Sequence, residues 1–339
     1  MGTKSNRNYK MYWKHLWRYY KIVTISKSNY TYDKMIIDLQ SFKKIYRDNL
    51  DINIIGKSLD NRDIYEVILG KSNSEKHVLI HAGIHGREYL TSLLVMKQIE
   101  YYLNNYESKE YCGIKYRDLF NSVAFHLIPM VNPDGITISQ IGVKGIRSKE
   151  LKDSIYECYY NDLNCRYTCD RFKSYLRKWK ANARGVDLNR NFNAGWDEIN
   201  QSKKSSFENY KGEFSNSEPE SKSLVNLVDK YNFIYTISYH SSGNLIYWDY
   251  KDSLVKNECS KLADLIACVT GYTKEKSDSE CVEVVPGGFK DWASSKSNNP
   301  IPSITIEVGL GTCPLKNSEF KDIWNANYKV LAAIAYMLK

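Results

Sequence analysis

Nowhere in the 339 residues do about 18 apolar side chains run together, the length a membrane-spanning helix needs. The opening stretch MGTKSNRNYKMYWKHLWRYYKIV is positively charged but lacks the uninterrupted apolar segment of a secretory signal, so a cytoplasmic protein is expected. Its mixture of Lys, Arg, Trp and Tyr suits a solvated arm or a small packed helix, with attachment to a membrane or wall surface as the alternative. Cysteine is sparse: eight residues, at 112, 158, 165, 169, 259, 268, 281 and 313. Cys165 and Cys169 have three residues between them, but no second close pair completes a four-thiolate site, and Cys259 and Cys268 read as positions along one helix. The even number permits disulfides without requiring them. The net charge of +9, from 48 basic and 39 acidic residues, comes with no zinc-finger spacing, no Lys/Arg-dense arm and no glycine-aromatic module, so nucleic acid is not an expected partner. No Gly/Ser/Pro linker, repeat or low-complexity segment divides the chain.

What is present is enough apolar material, 42% of residues, to fill a core. Residues 31–48 have the period of an amphipathic helix, and strands are expected at Ile52–Ile55 and Ile64–Leu69 around the polar turn Ser58–Asn61. His77–Gly83 and Val123–Met130 are nearly all apolar, the signature of strands buried on both faces, and Asn232–His240 is a third. A helix follows the first of these, from Glu88 to Leu103. Ser217 is placed to cap another through Leu224 and Val228, with Pro219 in its first turn and Glu220 completing a capping box. Ser303–Val308 forms a further strand, and a long striped helix from about Glu319 to Leu338 closes the chain. Strands and helices alternating without a linker predict an α/β fold, one domain on a mixed sheet over residues 30–339, preceded by a basic, aromatic extension at 1–29.

Three clusters carry chemistry. At the first strand-to-helix junction, His85 and Glu88 stand three residues apart on one helical face, able to grip one ion from the same side; a surface ion pair uses the same spacing. A zinc site needs a third protein ligand, and His240, ending a buried strand, is a candidate alongside its reading as a satisfied strand-end histidine. Glu307 lies in the apolar strand Ser303–Val308, where burying an ionised carboxylate is costly unless it is paired or needed, and it is the best general-base candidate. The third cluster, Trp179–Trp196, crowds Asn182, Arg184, Asp187, Asn189, Arg190, Asn191 and Asn193 into one loop. An Asn beside an Arg suits a carboxylate, and Asp187 could serve a zinc histidine by accepting its second ring N–H. A solvated turn is the bland alternative.

With HxxE at His85 and Glu88, GVDLNRNF at Gly185–Phe192, the distant His240 and Glu307 all in order, the chain resembles the zinc carboxypeptidases of the carboxypeptidase A type, the M14 metallopeptidases. The resemblance covers roughly residues 30–339. It implies a mixed, roughly eight-stranded sheet between helices, and one zinc held by His85, Glu88 and His240. It also implies Arg190 with Asn189 on the substrate's free carboxylate, Asp187 orienting the first zinc histidine, and Glu307 as base in zinc-promoted attack of water. Two positions depart from the pancreatic members: Glu283 stands where they place a mobile tyrosine, and Lys180, after Trp179, where they place an oxyanion-stabilising arginine. Arg184 lies close by in sequence as a further basic, substrate-facing candidate. VNPDG at Val131–Gly135, WKANARGVDLNRNF and GGFKDW at Gly287–Trp292 are similar to bacterial enzymes that cut between γ-D-glutamate and meso-diaminopimelate or lysine. A muropeptide-derived peptide with a free carboxylate is therefore the expected substrate. An ordinary carboxypeptidase, or a peptide- or wall-binding protein without turnover, are the alternatives. Lys290, before the DW pair, is expected to line the leaving-residue pocket and read a second carboxylate, unless it points to solvent.

Overall fold

The computed structural model describes residues 21–25, 29–46, 48–163, 169–200, 202–276 and 286–339. Nearly all of the 1–29 extension, Cys165, Cys281 and Glu283 therefore lie outside the described residues. The described strands β1 (Leu50–Lys57), β2 (Asp63–Leu69), β3 (His77–His81), β4 (Ala124–Ile128), β5 (Phe233–His240), β6 (Leu245–Tyr247), β7 (Thr273–Glu275) and β8 (Ser303–Glu307) form one eight-stranded sheet. Its spatial order is β1-β2-β4-β3-β5-β8-β6-β7. The middle four, β4, β3, β5 and β8, are mutually parallel, and antiparallel pairings flank them. Every residue of β3 and β4 is buried, as expected for parallel strands covered on both faces.

Alternation along those strands divides the core. Val78 and Ile80 face one hydrophobic cluster and Leu79 the other. On the first face lie α1 (Tyr32–Tyr46), α2 (Tyr89–Asn105), α7 (Lys256–Thr270), α9 (Phe320–Asn327) and α10 (Val330–Met337). On the second lie α6 (Pro219–Lys230) and α8 (Phe289–Ser295), with Leu224, Leu227, Phe289 and Trp292 in contact with the sheet. A smaller cluster under Trp179 joins α3 (Pro133–Ile141), α4 (Lys149–Leu163) and α5 (Cys169–Arg177).

Two local expectations are corrected. The closing helix is two helices, α9 and α10, broken at Tyr328 and Lys329. The N-cap of α6 is Glu218 and not Ser217, because Ser217 Oγ is occupied elsewhere, accepting from Asn191 Nδ2 and donating to Glu218 Oε1. Among the described cysteines, Cys112, Cys158, Cys259, Cys268 and Cys313 are free thiols. No helix among the described residues is long and apolar enough to cross a membrane.

Candidate metal centre and active site

The site is assembled from the last residues of β5 and β8 and from the turn that follows β3. The chain turns after β3 through His85, Gly86 and Glu88 into α2, with Glu88 as N-cap. Gly86 is required there: a Cβ would lie 2.4 Å from Gly135 O and 2.8 Å from Trp179 O. Without one, its N–H reaches Lys180 O at 3.0 Å, which draws the Trp179–Trp196 loop against the HxxE turn. Next to β3 in the sheet, β5 ends in His240.

His85, Glu88 and His240 converge, each buried, with ligand atoms within 4.8 Å of one another. His85 Nδ1 is 2.8 Å from Glu88 Oε1, and His240 Nδ1 is 3.1 Å from both His85 Nδ1 and Glu88 Oε2. Ligand atoms about 2.0–2.1 Å from a tetrahedral zinc would sit about 3.3 Å apart, close to this triangle. Two imidazole nitrogens and one carboxylate oxygen at this spacing are the donor set and the geometry that a zinc ion takes, so the residues fit one. The far nitrogen of His85, Nε2, lies 3.2 Å from Asp187 Oδ1, so the carboxylate favours a proton on that nitrogen and a bare Nδ1 toward the metal position. Burial alone would raise the Glu88 carboxyl, but the two imidazoles hold it well below the usual carboxylate range. Asp187 is likewise driven up by burial and brought far lower by Lys180 and His85.

Glu307 ends β8 and stands in register with His240. It retains some exposure, yet its carboxyl is pushed up to about 8, first by burial and then by the Glu88 carboxylate, against His85 and Lys180. A dication beside it would lower that value. Lys180 Nζ lies 2.9 Å from Asp187 Oδ2, so the lysine is buried in the site with one of its three protons committed. Asn189 Oδ1 accepts from the Phe289 N–H at 3.0 Å, which turns its NH2 outward as a donor. Arg190 makes a hydrogen bond to Asn189 O at 2.9 Å, its Nε has no partner, and no carboxylate among the described residues pairs with it.

Two expected substrate contacts are not assembled. Arg184 is exposed and engages Glu218, both of whose oxygens lie 2.9 Å from Nη2, so its charge is answered within the loop and it does not join the metal cluster. Lys290 points inward as expected, but its ammonium pairs with Asp291 and donates to Asp249 O. The protein already supplies the anion that a substrate was expected to bring.

Other neighbours had no signal in the sequence. The Ser241 N–H donates to Glu88 Oε2 at 3.3 Å, and the Cys313 thiol donates to Ser241 O at 3.1 Å. That second contact spans 72 residues, and no local pattern announces it. His81 is no ligand: it is fully buried behind the site, its Nε2 2.8 Å from Ser238 Oγ. His77 and His126 form a separate relay with Glu66, at 2.8 and 2.6 Å, with His77 at the opposite end of β3 from the metal ligands.

A profile of the Peptidase_M14 zinc carboxypeptidases matches residues 35–330. The chain belongs to the zinc carboxypeptidase family. It is a metallopeptidase with one catalytic zinc, as in its family. Among curated relatives it is similar to gamma-D-glutamyl-L-diamino acid endopeptidase 1 of Lysinibacillus sphaericus, 28% identical over 92% of this chain and 73% of that one. It is also similar to carboxypeptidase B of Astacus astacus, 25% identical over 79% of this chain and 82% of that one. Among solved structures, thrombin activatable fibrinolysis inhibitor superposes with a TM-score of 0.73 at 19% identity, covering 98% of this chain and 80% of that one. At that identity the likeness shows the fold, an eight-stranded mixed sheet flanked by helices, as expected.

Proposed function

We propose that this metallopeptidase hydrolyses the bond between γ-D-glutamate and a diamino acid, meso-diaminopimelate or lysine, in small wall-derived peptides. The observation that carries the reading is the similarity to the Lysinibacillus endopeptidase along 92% of the chain. The free pair Arg190 and Asn189 supports it, since a leaving residue with a free carboxylate would meet the guanidinium fork and an amide donor.

When bound at His85, Glu88 and His240, zinc supplies Lewis acidity to water and carbonyl oxygen. The chain's own groups handle the protons and charge. Glu307 takes a proton from the attacking water and returns it to the leaving nitrogen, a task its place at the end of β8 in register with His240 allows. Lys180, anchored through one N–H by Asp187, offers its others to the oxygen that gains charge in the transition state. Asp187 holds both Lys180 and His85, so the oxyanion donor and the first ligand share one brace.

A second reading, removal of ordinary C-terminal residues, is favoured by one observation: the Lys290 ammonium already has Asp291, so the leaving-residue pocket does not demand an acidic side chain. The test is incubation with L-Ala-γ-D-Glu-meso-diaminopimelate, its lysine analogue and ordinary L-peptides, with products identified by mass. Release of the free diamino acid only from the γ-linked peptides supports the first reading; cleavage of the L-peptides alone supports the second.

A further inference from the structure

Away from the metal centre, the far end of α2 opens on a cavity of about 680 Å3, within the size range of ligand sites. Tyr101 follows Glu88 along the same helix, so at 1.5 Å per residue the cavity begins about 20 Å from the zinc ligands. Its walls are unusually rich in one side chain: Tyr101, Tyr111, Tyr116 and Tyr328 all line it, beside Lys109 and Lys329.

The tyrosines are set in place from below. Tyr101 packs edge-on to Tyr328 at 5.5 Å and to Trp324 at 5.6 Å, and its hydroxyl lies 3.3 Å from that of Tyr116. Tyr111 is carried on a short hairpin, Glu110–Tyr111 against Ile114–Lys115, whose two turn residues Cys112 and Gly113 both have positive φ, the conformation that closes a tight hairpin. Burial raises the phenols of Tyr111 and Tyr116, so they stay neutral donors and acceptors.

Two lysines and one carboxylate, Glu110, line the cavity, a net positive lining. Lys109 Nζ stands 5.0 Å from the centre of the Tyr101 ring and Lys329 Nζ 5.4 Å from that of Tyr328, and neither lysine forms a salt bridge among the described residues. Neutral hydroxylated rings beside unpaired ammonium groups suit a ligand with the same two parts: flat, hydroxyl-bearing surfaces and free carboxylates.

We propose that this groove is an accessory binding site for the wall polymer itself, an acetylated aminosugar strand carrying short acidic peptides. Sugar rings lie along the tyrosines, and the free carboxylates of the attached peptides meet Lys109 and Lys329. The proposal rests on the wall-peptide reading of the active site for its choice of polymer. Its test does not depend on which bond is cut.

The full-length, zinc-loaded protein is mixed with insoluble wall sacculi stripped of phosphate polymers by acid, and the fraction that sediments is measured. A second batch has its carboxylates converted to amides. Wild type is expected to sediment with the first batch, and amidation, or Lys109→Glu with Lys329→Glu, to lower the retained fraction at least tenfold. Tyr111→Ser, which leaves both lysines, lowers it as well. Thermal melting of each variant verifies folding, and cleavage of a soluble γ-D-glutamyl tripeptide by the lysine variant stays within twofold of wild type. Absence of sedimentation, equal retention after amidation, or retention only by sacculi that keep their phosphate polymers overturns the proposal. Sacculus binding without γ-D-glutamyl cleavage would leave the groove standing and remove the active-site reading; cleavage without binding would do the reverse.

Discussion

Glu307 lies directly across from His240 in the parallel register of β8 and β5. The carboxyl is thus held one strand away from a metal ligand by backbone pairing, and its position does not depend on the metal. Glu307→Gln keeps shape and packing but accepts no proton. Turnover is expected to fall by about 10² or more while bound zinc remains at one per chain. Steady-state kinetics with metal analysis of the same sample checks this, and near-normal turnover would rule out Glu307 as the base.

The convergence of His85, Glu88 and His240 leads to a second expectation. Chelation abolishes activity, and His85→Ala or His240→Ala loses tight zinc. Asp187→Asn, which removes the brace on His85 Nε2 and the partner of Lys180, weakens zinc affinity by about 10–100-fold without removing a ligand. Competition against a zinc chelator of known strength measures it; unchanged affinity would mean that Asp187 does not orient the ring.

Lys290 and Asp291 form a pair that is almost wholly buried, with side chains 9% and 11% exposed. Removing one partner strands the other, so Lys290→Met is expected to cost about 3–5 kcal/mol of stability, and Lys290→Met with Asp291→Asn to recover part of it. The ratio of kcat/KM on peptides ending in diaminopimelate and in lysine should then change by less than about threefold. Urea unfolding and kinetics on both substrates decide. A selective loss on the diaminopimelate peptide would restore Lys290 as the reader of a second carboxylate.

Glu220, in the first turn of α6, gives a pH dependence remote from the metal. Burial, reinforced by Asp134, pushes its carboxyl from 4.5 up to about 8. The folded chain then binds a proton that the unfolded chain has released, so this contribution to stability is complete below about 4.5 and is lost as pH rises through about 8. Glu220→Gln removes the titration. The difference in unfolding free energy between pH 5 and pH 8.5 should be smaller in that variant than in wild type, and an equal difference would count against a proton on Glu220.

Much of this architecture was legible because the buried strands announce themselves. His77–His81, Ala124–Ile128 and Phe233–His240 are apolar runs, and the candidate metal ligands stand just beyond the first and at the end of the third. The three-residue strands β6 and β7 are too short to announce themselves and take their form from pairing with neighbours. Side-chain partners were the least visible feature. Glu218 answers Arg184 from 34 residues away, and the backbone oxygen of Asp249 reaches Lys290 from 41. Charge type can be read from a sequence, but whether that charge is already neutralised depends on contacts that only folding creates.

The spacing of the metal ligands also has a consequence during synthesis. His240 follows His85 by 155 residues, and ribosomes add about 5–20 residues per second, so for roughly 8–30 s the emerging chain displays HxxE with no third ligand. A nascent or C-terminally truncated chain that ends before His240 holds two donors of the three, too few to retain zinc against the rest of the cell. Metal capture is therefore tied to completion of β5, and a protein that keeps its zinc through purification has, by that fact, brought the end of β5 against the turn that follows β3.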